Sequence, residues 1–392
     1  MTDNPPLARR MPGFDARHAT QRARRTRVVV AVVIIVAVAA VAFVVLGHRP
    51  HPRAAPKTHR VAAVPHVVST LAPWRLGAPI SRAVVLPGGS PGDDQLTILG
   101  GVTTGGLTAS GAFSLDVTTG TLTQVGDLMS TLDNAAGAVL GDRDVVFGGT
   151  TSASSSASAT VQALPSAPAS PSAGTATPMA TSVGTLPQAR ATASAVTSGA
   201  TTYLVGGSNA AGAVPSILAT TDGSHFVALA SLPVPVQFPA VTVYQDDLYV
   251  FGGTATTGPD AGHPVDTIQV LSLTTHKVSD SRHLPEPVSA ATAVVLGHDI
   301  FLAGGDTPST SAGTPAVTGT SPTTSTPASS STSTLWSFDP ASGTTRQVGH
   351  LAVPVSHAGV TVLGSMAWLV GGESDGTPVS AVQSFVAVAP PS

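Results

Sequence analysis

The chain has no cysteine and few charged or aromatic residues. Of its 392 residues, 10% are charged and 4% are aromatic. Without cysteine, the chain has no disulfide, thiolate metal site, cysteine nucleophile or iron–sulfur cluster. The formal net charge of −3 offers no broad basic surface, so we expect no nucleic-acid partner. No HExxH or P-loop motif occurs, and we predict no catalytic residue, no cofactor and no metal site.

Glycine, proline and small apolar residues are abundant instead. The chain has 40 glycines and 33 prolines, and 42% of its residues are hydrophobic. Both glycine and proline disfavour helix interiors, whereas short strands joined by turns accommodate them. The composition therefore predicts an all-β fold. Sixteen of the 18 basic residues are arginine, a bias that indicates GC-rich and hence bacterial coding.

One long apolar run stands near the N-terminus. Residues 28–46 read VVVAVVIIVAVAAVAFVVL, and no charged or polar side chain interrupts them. A helix of about 20 apolar residues matches the thickness of the hydrocarbon core of a bilayer. We therefore predict a transmembrane signal-anchor helix over 28–46. It is preceded by a basic, unstructured cytoplasmic tail (1–27) and followed by a linker (47–66).

The flanking charges predict the orientation of this segment. Seven arginines precede the run, and three arginines and one lysine follow it within fifteen residues. By the positive-inside rule the N-terminus is cytoplasmic and the C-terminal domain extracytoplasmic, in a single-pass cell-membrane protein. A cleaved signal peptide is the alternative. It normally has a shorter apolar region and a small-residue cleavage site, which Leu46-Gly47-His48-Arg49 does not provide.

The strongest internal signal is a phrase that ends in a Gly-Gly doublet. Residues 138–149, 242–253, 294–305 and 361–372 share a layout of strand, tight turn and strand, which is the pattern of a hairpin. The six doublets are Gly100-Gly101, Gly148-Gly149, Gly206-Gly207, Gly252-Gly253, Gly304-Gly305 and Gly371-Gly372. They lie 48, 58, 46, 52 and 67 residues apart. A further strand-and-turn follows each hairpin, with Asp116, Asp222 and Asp339 interpreted as turn residues.

Four strands about every 50 residues are typical of kelch propeller blades. Residues 67–388 resemble the kelch-repeat, galactose-oxidase-like family in the six doublets, in Asp116 and Asp339, and in the opening arginines Arg82 and Arg190. The tryptophan that packs the family's blades is mostly replaced here, for example by Leu122. The resemblance implies a β-propeller in which the doublets are structural glycines. The Tyr–Cys cofactor of kelch-like copper oxidases is excluded because there is no cysteine.

The two ends of the propeller region predict how the ring closes. The last unit lacks a fourth strand, whereas residues 67–76 look like a fourth strand without the preceding three. We therefore expect the N-terminal strand to complete the last blade, which gives a six-bladed propeller over 67–388. Closure of this kind protects the edges of the sheets.

Two segments of the propeller region are rich in Ser, Thr, Ala and Pro, at 150–180 and 306–333. Such a composition does not bury a core, so we expect disordered inserts. Since both follow a Gly-Gly doublet, we expect both on one mouth of the propeller. O-glycosylated tracts and unmodified surface loops are both open interpretations.

The candidate ligand-binding residues are Arg82, Arg190 and His357. They stand at strand openings of different units, and the ring geometry brings strand openings toward one channel mouth. A cationic rim for an acidic group is one interpretation, and hydrogen bonds between blades are the other.

Three functions are compatible with this sequence, because one fold hosts many functions. The leading prediction is a membrane-tethered, extracytoplasmic module that binds a protein or a glycan of the cell envelope. The second is a carbohydrate-active enzyme with a polar site in the channel. The third is a glycosylated surface spacer.

Overall fold

The computed structural model describes residues 66–88, 92–152, 156–165, 177–308 and 329–388. All the regular elements in these ranges are β-strands, which we number β1 to β36 along the chain. The described ranges contain no helix that is both long and apolar enough to cross a membrane. The predicted transmembrane segment 28–46, the tail 1–27 and the linker up to residue 65 lie outside the described residues.

Six antiparallel sheets of four strands form a β-propeller, which confirms the predicted all-β, six-bladed architecture. Blade 1 consists of β3 (Val84–Pro87), β4 (Gln95–Leu99), β6 (Gly111–Asp116) and β7 (Leu122–Asp127). Blade 2 consists of β9 (Ala136–Leu140), β10 (Arg143–Phe147), β12 (Thr160–Pro165) and β13 (Thr181–Thr185). Blade 3 consists of β14 (Ser194–Ser198), β15 (Thr201–Val205), β18 (Ser216–Thr220) and β19 (Val227–Ser231). Blade 4 consists of β21 (Ala240–Tyr244), β22 (Asp247–Phe251), β24 (Thr267–Ser272) and β25 (Val278–His283). Blade 5 consists of β26 (Thr292–Leu296), β27 (Asp299–Ala303), β30 (Thr334–Asp339) and β31 (Thr344–His350). Blade 6 consists of β32 (Gly359–Leu363), β33 (Met366–Val370), β36 (Val382–Val388) and β1 (His66–Leu71).

Six short pairs of strands lie on one face of the ring, next to the Gly-Gly doublets. They are β2 (Ile80–Ser81) with β5 (Val102–Thr103), β8 (Leu132–Asp133) with β11 (Thr150–Thr151), β16 (Ser208–Asn209) with β17 (Gly212–Ala213), β20 (Val236–Gln237) with β23 (Thr254–Ala255), β28 (Asp306–Pro308) with β29 (Ser329–Ser331), and β34 (Glu373–Ser374) with β35 (Thr377–Pro378). We call this side the Gly-Gly face. The opposite side, which carries the turns within the blades, is the turn face.

The first strand closes the ring, as the sequence predicted. β1 pairs antiparallel with β36, from His66 opposite Val388 to Leu71 opposite Gln383. Val67 of β1 is buried in a cluster with Leu335 of blade 5 and Phe385 of blade 6. The last blade is therefore assembled from both ends of the propeller sequence, and β36 has a strand partner on each side.

The core lies between the blades. In four blades the last four residues of the second strand are all buried, as in Leu248–Phe251 of β22, whereas Tyr203 of β15 and Trp368 of β33 are half-buried. Aromatic rings join neighbouring blades: Phe251 of blade 4 and Phe338 of blade 5 meet edge to face with centroids 5.4 Å apart. Six apolar clusters of this kind connect the blades around the ring.

The Gly-Gly doublets are required because a neighbouring backbone approaches them closely. Both glycines of every doublet have positive φ, a region that disfavours other residues. A Cβ on Gly371 would lie 2.0 Å from the carbonyl oxygen of Ile80, and the next residue, Gly372, donates its N–H to that same oxygen at 2.8 Å. The same arrangement recurs at the other five doublets, so each one joins its blade to the next.

The aspartates after the third strands make turns, in agreement with the sequence interpretation. Asp116 Oδ1 accepts the N–H groups of Thr118 and Thr119, each at 2.9 Å. Asp222 accepts the N–H groups of Ser224 and His225 in the same way, and these hydrogen bonds hold its pKa well below the ordinary value.

One of the predicted inserts contains a core strand. We expected residues 150–180 to be unstructured, but residues 160–165 form β12, the third strand of blade 2, with Val161 and Leu164 buried. The sequence pattern did not indicate this strand, because its short apolar stretch lies among many Ser and Ala residues. Residues 153–155, 166–176 and 309–328 lie outside the described residues. The second predicted insert, 306–333, also contains strands, because Pro308 of β28 pairs with Ser329 of β29.

Candidate functional site: the channel mouth

Six residues with an unusual backbone surround the axis of the propeller on the Gly-Gly face. Each lies two positions before the first residue of the first strand of its blade and has φ between +49° and +60°. This left-handed region is disfavoured for residues other than Gly, Asn and Asp. The six are Arg82, Asn134, Thr192, Phe238, Ala290 and His357.

Backbone hydrogen bonds link these residues from blade to blade. The N–H of Thr192 donates to the carbonyl of Asn134, and the N–H of Phe238 to the carbonyl of Thr192, both at 2.8 Å. The series continues in the same way at 3.0 Å: the N–H of Ala290 donates to the carbonyl of Phe238, that of His357 to the carbonyl of Ala290, and that of Arg82 to the carbonyl of His357. The left-handed conformation is therefore part of the architecture, because it turns each chain from the Gly-Gly face into an inner strand.

The six residues line a cavity of about 130 Å³ at the mouth of the channel. A cavity of this volume is smaller than the usual pocket for a small-molecule ligand. Their side chains are a guanidinium, an amide, a hydroxyl, a phenyl ring, a methyl group and an imidazole, so the mouth has no chemical symmetry. The rings of Phe238 and His357 meet edge to face with centroids 4.6 Å apart.

An ion pair joins blade 1 to blade 6 at the mouth. Arg82 donates from Nε to Glu373 Oε1 at 2.7 Å and from Nη2 to Glu373 Oε2 at 3.3 Å. Ser81 Oγ also donates to Oε1, at 3.0 Å. The Glu373 side chain is 8% exposed and the Arg82 side chain 33%, so the carboxylate is buried behind a guanidinium that faces the mouth.

The pKa values of this group follow from its burial and its charges. Burial alone would raise the pKa of Glu373, but the hydrogen bonds and charge of Arg82 outweigh this, and the pKa lies below its ordinary value. Burial lowers the pKa of His357; Glu373 opposes this effect and Arg82 reinforces it, with a lowered pKa as the result. At pH 7 the pair is therefore charged and the imidazole is neutral.

Asp306 of blade 5 completes the charged group. Its Oδ2 lies 3.6 Å from His357 Nε2, which is beyond hydrogen-bond distance, and its Oδ1 accepts from Ser331 Oγ at 3.1 Å. Ser331 Oγ is also 3.1 Å from the carbonyl oxygen of Glu373. Asp306 therefore places a second carboxylate close to His357 and, through Ser331, to the backbone of Glu373.

The structure brings two of the three predicted site residues together. Arg82 and His357 line the mouth, whereas Arg190 is 1% exposed and lies under the strands of blade 3. Its Nη1 donates to the carbonyl oxygens of Gly206 at 3.3 Å and Ser216 at 3.1 Å, and its Nη2 donates to Ser216 Oγ at 2.7 Å. Burial without a carboxylate partner lowers the pKa of Arg190 to about 10.

Two acidic residues of the mouth were not singled out in the sequence. Asp306 and Glu373 each come directly after a Gly-Gly doublet. The equivalent residues of blades 1 to 4 are Val102, Thr150, Ser208 and Thr254. A comparison of this one position among the six repeats would have identified the two acidic blades.

Below the mouth the channel is apolar. The inner strands line a wider part of about 410 Å³, chiefly with valine, alanine and threonine. The described residues that line it include no Asp, Glu, His, Lys or Arg. Throughout the described ranges, moreover, no three His, Asp or Glu side chains form a group that could hold a metal ion.

Comparisons with protein-family models and with curated proteins find no match to this chain. The described architecture is that of a six-bladed β-propeller. Kelch-family membership remains an inference from the repeat pattern.

Proposed function

We propose that this chain is a membrane-tethered, extracytoplasmic recognition module of the kelch type. Its propeller binds a protein or a glycan of the cell envelope, and the Gly-Gly mouth is the contact site. The observation that carries the proposal is the ring of six residues whose backbone has the left-handed conformation. This conformation strains a residue other than glycine by roughly 1–2 kcal/mol. Glycine or asparagine would relieve this strain, yet five of the six positions carry another side chain.

The side chains of the ring suit recognition better than catalysis. Arg82 faces the mouth from a rigid pair with Glu373, and Phe238 is fixed against His357, so neither loses much freedom when a partner binds. The small mouth admits one side chain or one chain terminus of a partner. The adjacent β28 and β29 widen the contact surface on the same face.

Membrane tethering is proposed from the sequence alone. The apolar run 28–46 with its basic N-terminal flank supports an N-terminus in the cytoplasm and a propeller outside it. Protease treatment of intact spheroplasts tests this orientation. The propeller of the full chain should be cleaved while an epitope placed at residue 1 stays protected; the reverse pattern would contradict it.

The binding proposal is tested with a matched pair of variants. Phe238→Asn removes the aromatic ring and keeps a residue that tolerates positive φ. His276→Asn makes the same kind of change at φ 56°, in an exposed turn on the other face. The bait is a fragment of residues 61–392, which contains β1 and all the other described strands of the closed ring. It is probed with solubilised envelope proteins and cell-wall glycans.

A partner that binds the unchanged fragment and the His276→Asn variant but not the Phe238→Asn variant supports the mouth as the site. A partner that binds all three alike places recognition elsewhere. The absence of any specific partner contradicts the module and favours the surface spacer. The enzyme alternative has less support, because it predicted clustered carboxylates or histidines deep in the channel, where the described lining is apolar.

A further inference from the structure

A second cavity lies between blade 6 and blade 1, on the turn face. It encloses about 510 Å³ and is bounded by the end of β1 and the segment after it, by the β32–β33 turn of blade 6, and in blade 1 by Asp94 and the β6–β7 turn. We call it the tryptophan cleft, because Trp74 and Trp368 both line it. They are two of the three tryptophans of the chain.

Both indole rings are fixed in place yet partly accessible. Trp74 packs against Gly120: a Cβ on that glycine would come within 2.5 Å of the indole ring. Trp368 belongs to β33 and is paired with Thr361 and Ser384 of the neighbouring strands. Both tryptophans are half-buried on the apolar cluster between the two blades. Rigid aromatic side chains of this kind offer contact area at a low cost in conformational entropy.

The polar groups of the cleft are hydroxyls and one carboxylate. Thr70, Thr118, Ser365 and Ser384 contribute the hydroxyls, and Asp94 contributes the carboxylate. Thr118 Oγ1 donates to Asp94 Oδ2 at 3.3 Å, which leaves acceptor capacity on the carboxylate. Among the described residues that line the cleft there is no Lys, Arg or His. An anionic ligand such as a phosphate ester therefore finds no counter-charge here.

This combination has a defined chemical complement. The ligand needs apolar faces that stack on indole rings and hydroxyl groups that donate to a carboxylate, without a negative charge. A neutral saccharide has both features, since its ring presents C–H groups on its faces and hydroxyls around its edge. The volume also falls in the range of small-molecule pockets, about 300–1,000 Å³.

We infer that the tryptophan cleft binds a neutral saccharide, with Trp74 and Trp368 stacking on its rings and Asp94 accepting hydrogen bonds from its hydroxyl groups. The site lies on the face opposite the channel mouth and does not depend on the function proposed for the mouth. It exists only in the closed ring, because Trp74 follows the closing strand β1 and packs on blade 1. The chain then has two separate recognition surfaces.

The test is a titration of the full chain in detergent with neutral trisaccharides: maltotriose, cellotriose, mannotriose and N,N′,N″-triacetylchitotriose. Tryptophan fluorescence and calorimetry report binding. Trp368→Leu and Asp94→Asn are the test variants. Trp336→Leu is the matched control, since Trp336 is also half-buried but belongs to blade 5 and does not line the cleft. Phe238→Asn serves as the control for the mouth.

We expect at least one trisaccharide to bind with a dissociation constant on the order of 0.1–1 mM. Trp368→Leu and Asp94→Asn should each weaken binding by about tenfold or more, while Trp336→Leu and Phe238→Asn bind as the unchanged chain does. No binding of any trisaccharide at about 10 mM overturns the inference. Equal affinity in all variants overturns it too, as does tighter binding of choline, which aromatic cages recognise. Thermal unfolding of each variant separates lost binding from lost folding.

Discussion

Arg82 and Glu373 are 291 positions apart in the sequence, yet two hydrogen bonds join their side chains at the boundary where the ring closes. Arg82 leads into the first blade, and Glu373 follows the last Gly-Gly doublet. The pair therefore connects the first and last blades on the Gly-Gly face, whereas the pairing of β1 with β36 joins the two ends of the propeller sequence within blade 6.

We expect this pair to be coupled energetically. Arg82→Met leaves the buried Glu373 carboxylate without its cation and should lower the free energy of unfolding by about 2–3 kcal/mol. The double variant Arg82→Met/Glu373→Gln should recover part of that loss, because the buried charge is removed as well. Urea denaturation at pH 7 measures all four members of the cycle. Strictly additive effects would show that the pair is not coupled.

His357 should make the protein less stable as the pH falls below about 6.5, the ordinary pKa of histidine. Its folded pKa lies below the ordinary value of 6.5, so the unfolded chain binds a proton that the folded chain does not. Its contribution is fully present above the unfolded pKa and is lost as the pH falls toward the folded pKa. The slope from one such group is at most about 1.4 kcal/mol per pH unit.

The matched variants for this dependence are His357→Asn and His276→Asn, since asparagine tolerates the positive φ of both sites. We expect the first to flatten the profile of unfolding free energy over pH 5 to 7 and the second to leave it unchanged. Because the pKa of Glu373 is lowered, its protonation affects the unfolding free energy only below about pH 4.5, which is outside the range of pH 5 to 7. An unchanged slope in His357→Asn would contradict the assignment.

Arg190 should act on stability and not on binding at the mouth. Arg190→Met keeps the apolar stem and removes the guanidinium that bonds to Gly206 and Ser216. We expect a loss of about 1–3 kcal/mol in unfolding free energy, because two carbonyl oxygens and a hydroxyl lose the guanidinium as their donor. A variant of full stability that loses a mouth partner would instead make Arg190 a binding residue.

β1 should be indispensable for the closed ring. A fragment of residues 73–392 lacks β1, which exposes the edge of β36 and removes Val67 from the core. We expect a lower Tm and more aggregation than for the fragment 61–392, because an unpaired strand edge invites intermolecular pairing. A synthetic peptide of residues 64–72 should restore part of the Tm. Identical melting of the two fragments would contradict closure by β1.

Gln245 occupies a hairpin turn position where other blades have glycine. Its φ is 53°, and the equivalent Gly297 has φ 68° with open space around the site of a Cβ. Gln245→Gly should stabilise the propeller by up to about 1 kcal/mol, and Gly297→Gln should destabilise it by about 1–2 kcal/mol, since left-handed backbone is strained outside glycine. Thermal unfolding of both variants measures this, and a shift in the same direction for both would contradict it.

The repeat itself was predictable from the sequence, because local geometry imposes it on each blade. The Gly-Gly doublets stand where a neighbouring carbonyl leaves no room for a Cβ, and this steric requirement recurs in every unit. The second strands are largely buried, so at least two apolar residues stand directly before each doublet. The unpaired N-terminal strand predicted the closure, since an exposed edge of a sheet is a liability.

Other features were not predictable by the same reasoning. β12 was missed because only a few small apolar residues, set among Ser and Ala, form it, and its burial depends on the two strands that flank it. Arg190 resembles Arg82 in the sequence, yet it lies two positions before the left-handed residue of its blade, Thr192, and points into the blade.

The sequence by itself determined the period, the number of blades and the strand that closes the ring, because these follow from backbone sterics and local apolar pattern. Only the tertiary structure decided which side chains meet. Arg82 with Glu373 and Trp74 with Trp368 are brought together by the circular closure of the chain, and His357 lies beside Asp306 because blades 5 and 6 are neighbours in the ring. The distance between two side chains in a ring depends on the accumulated rotation of all the blades, and no local pattern encodes that rotation.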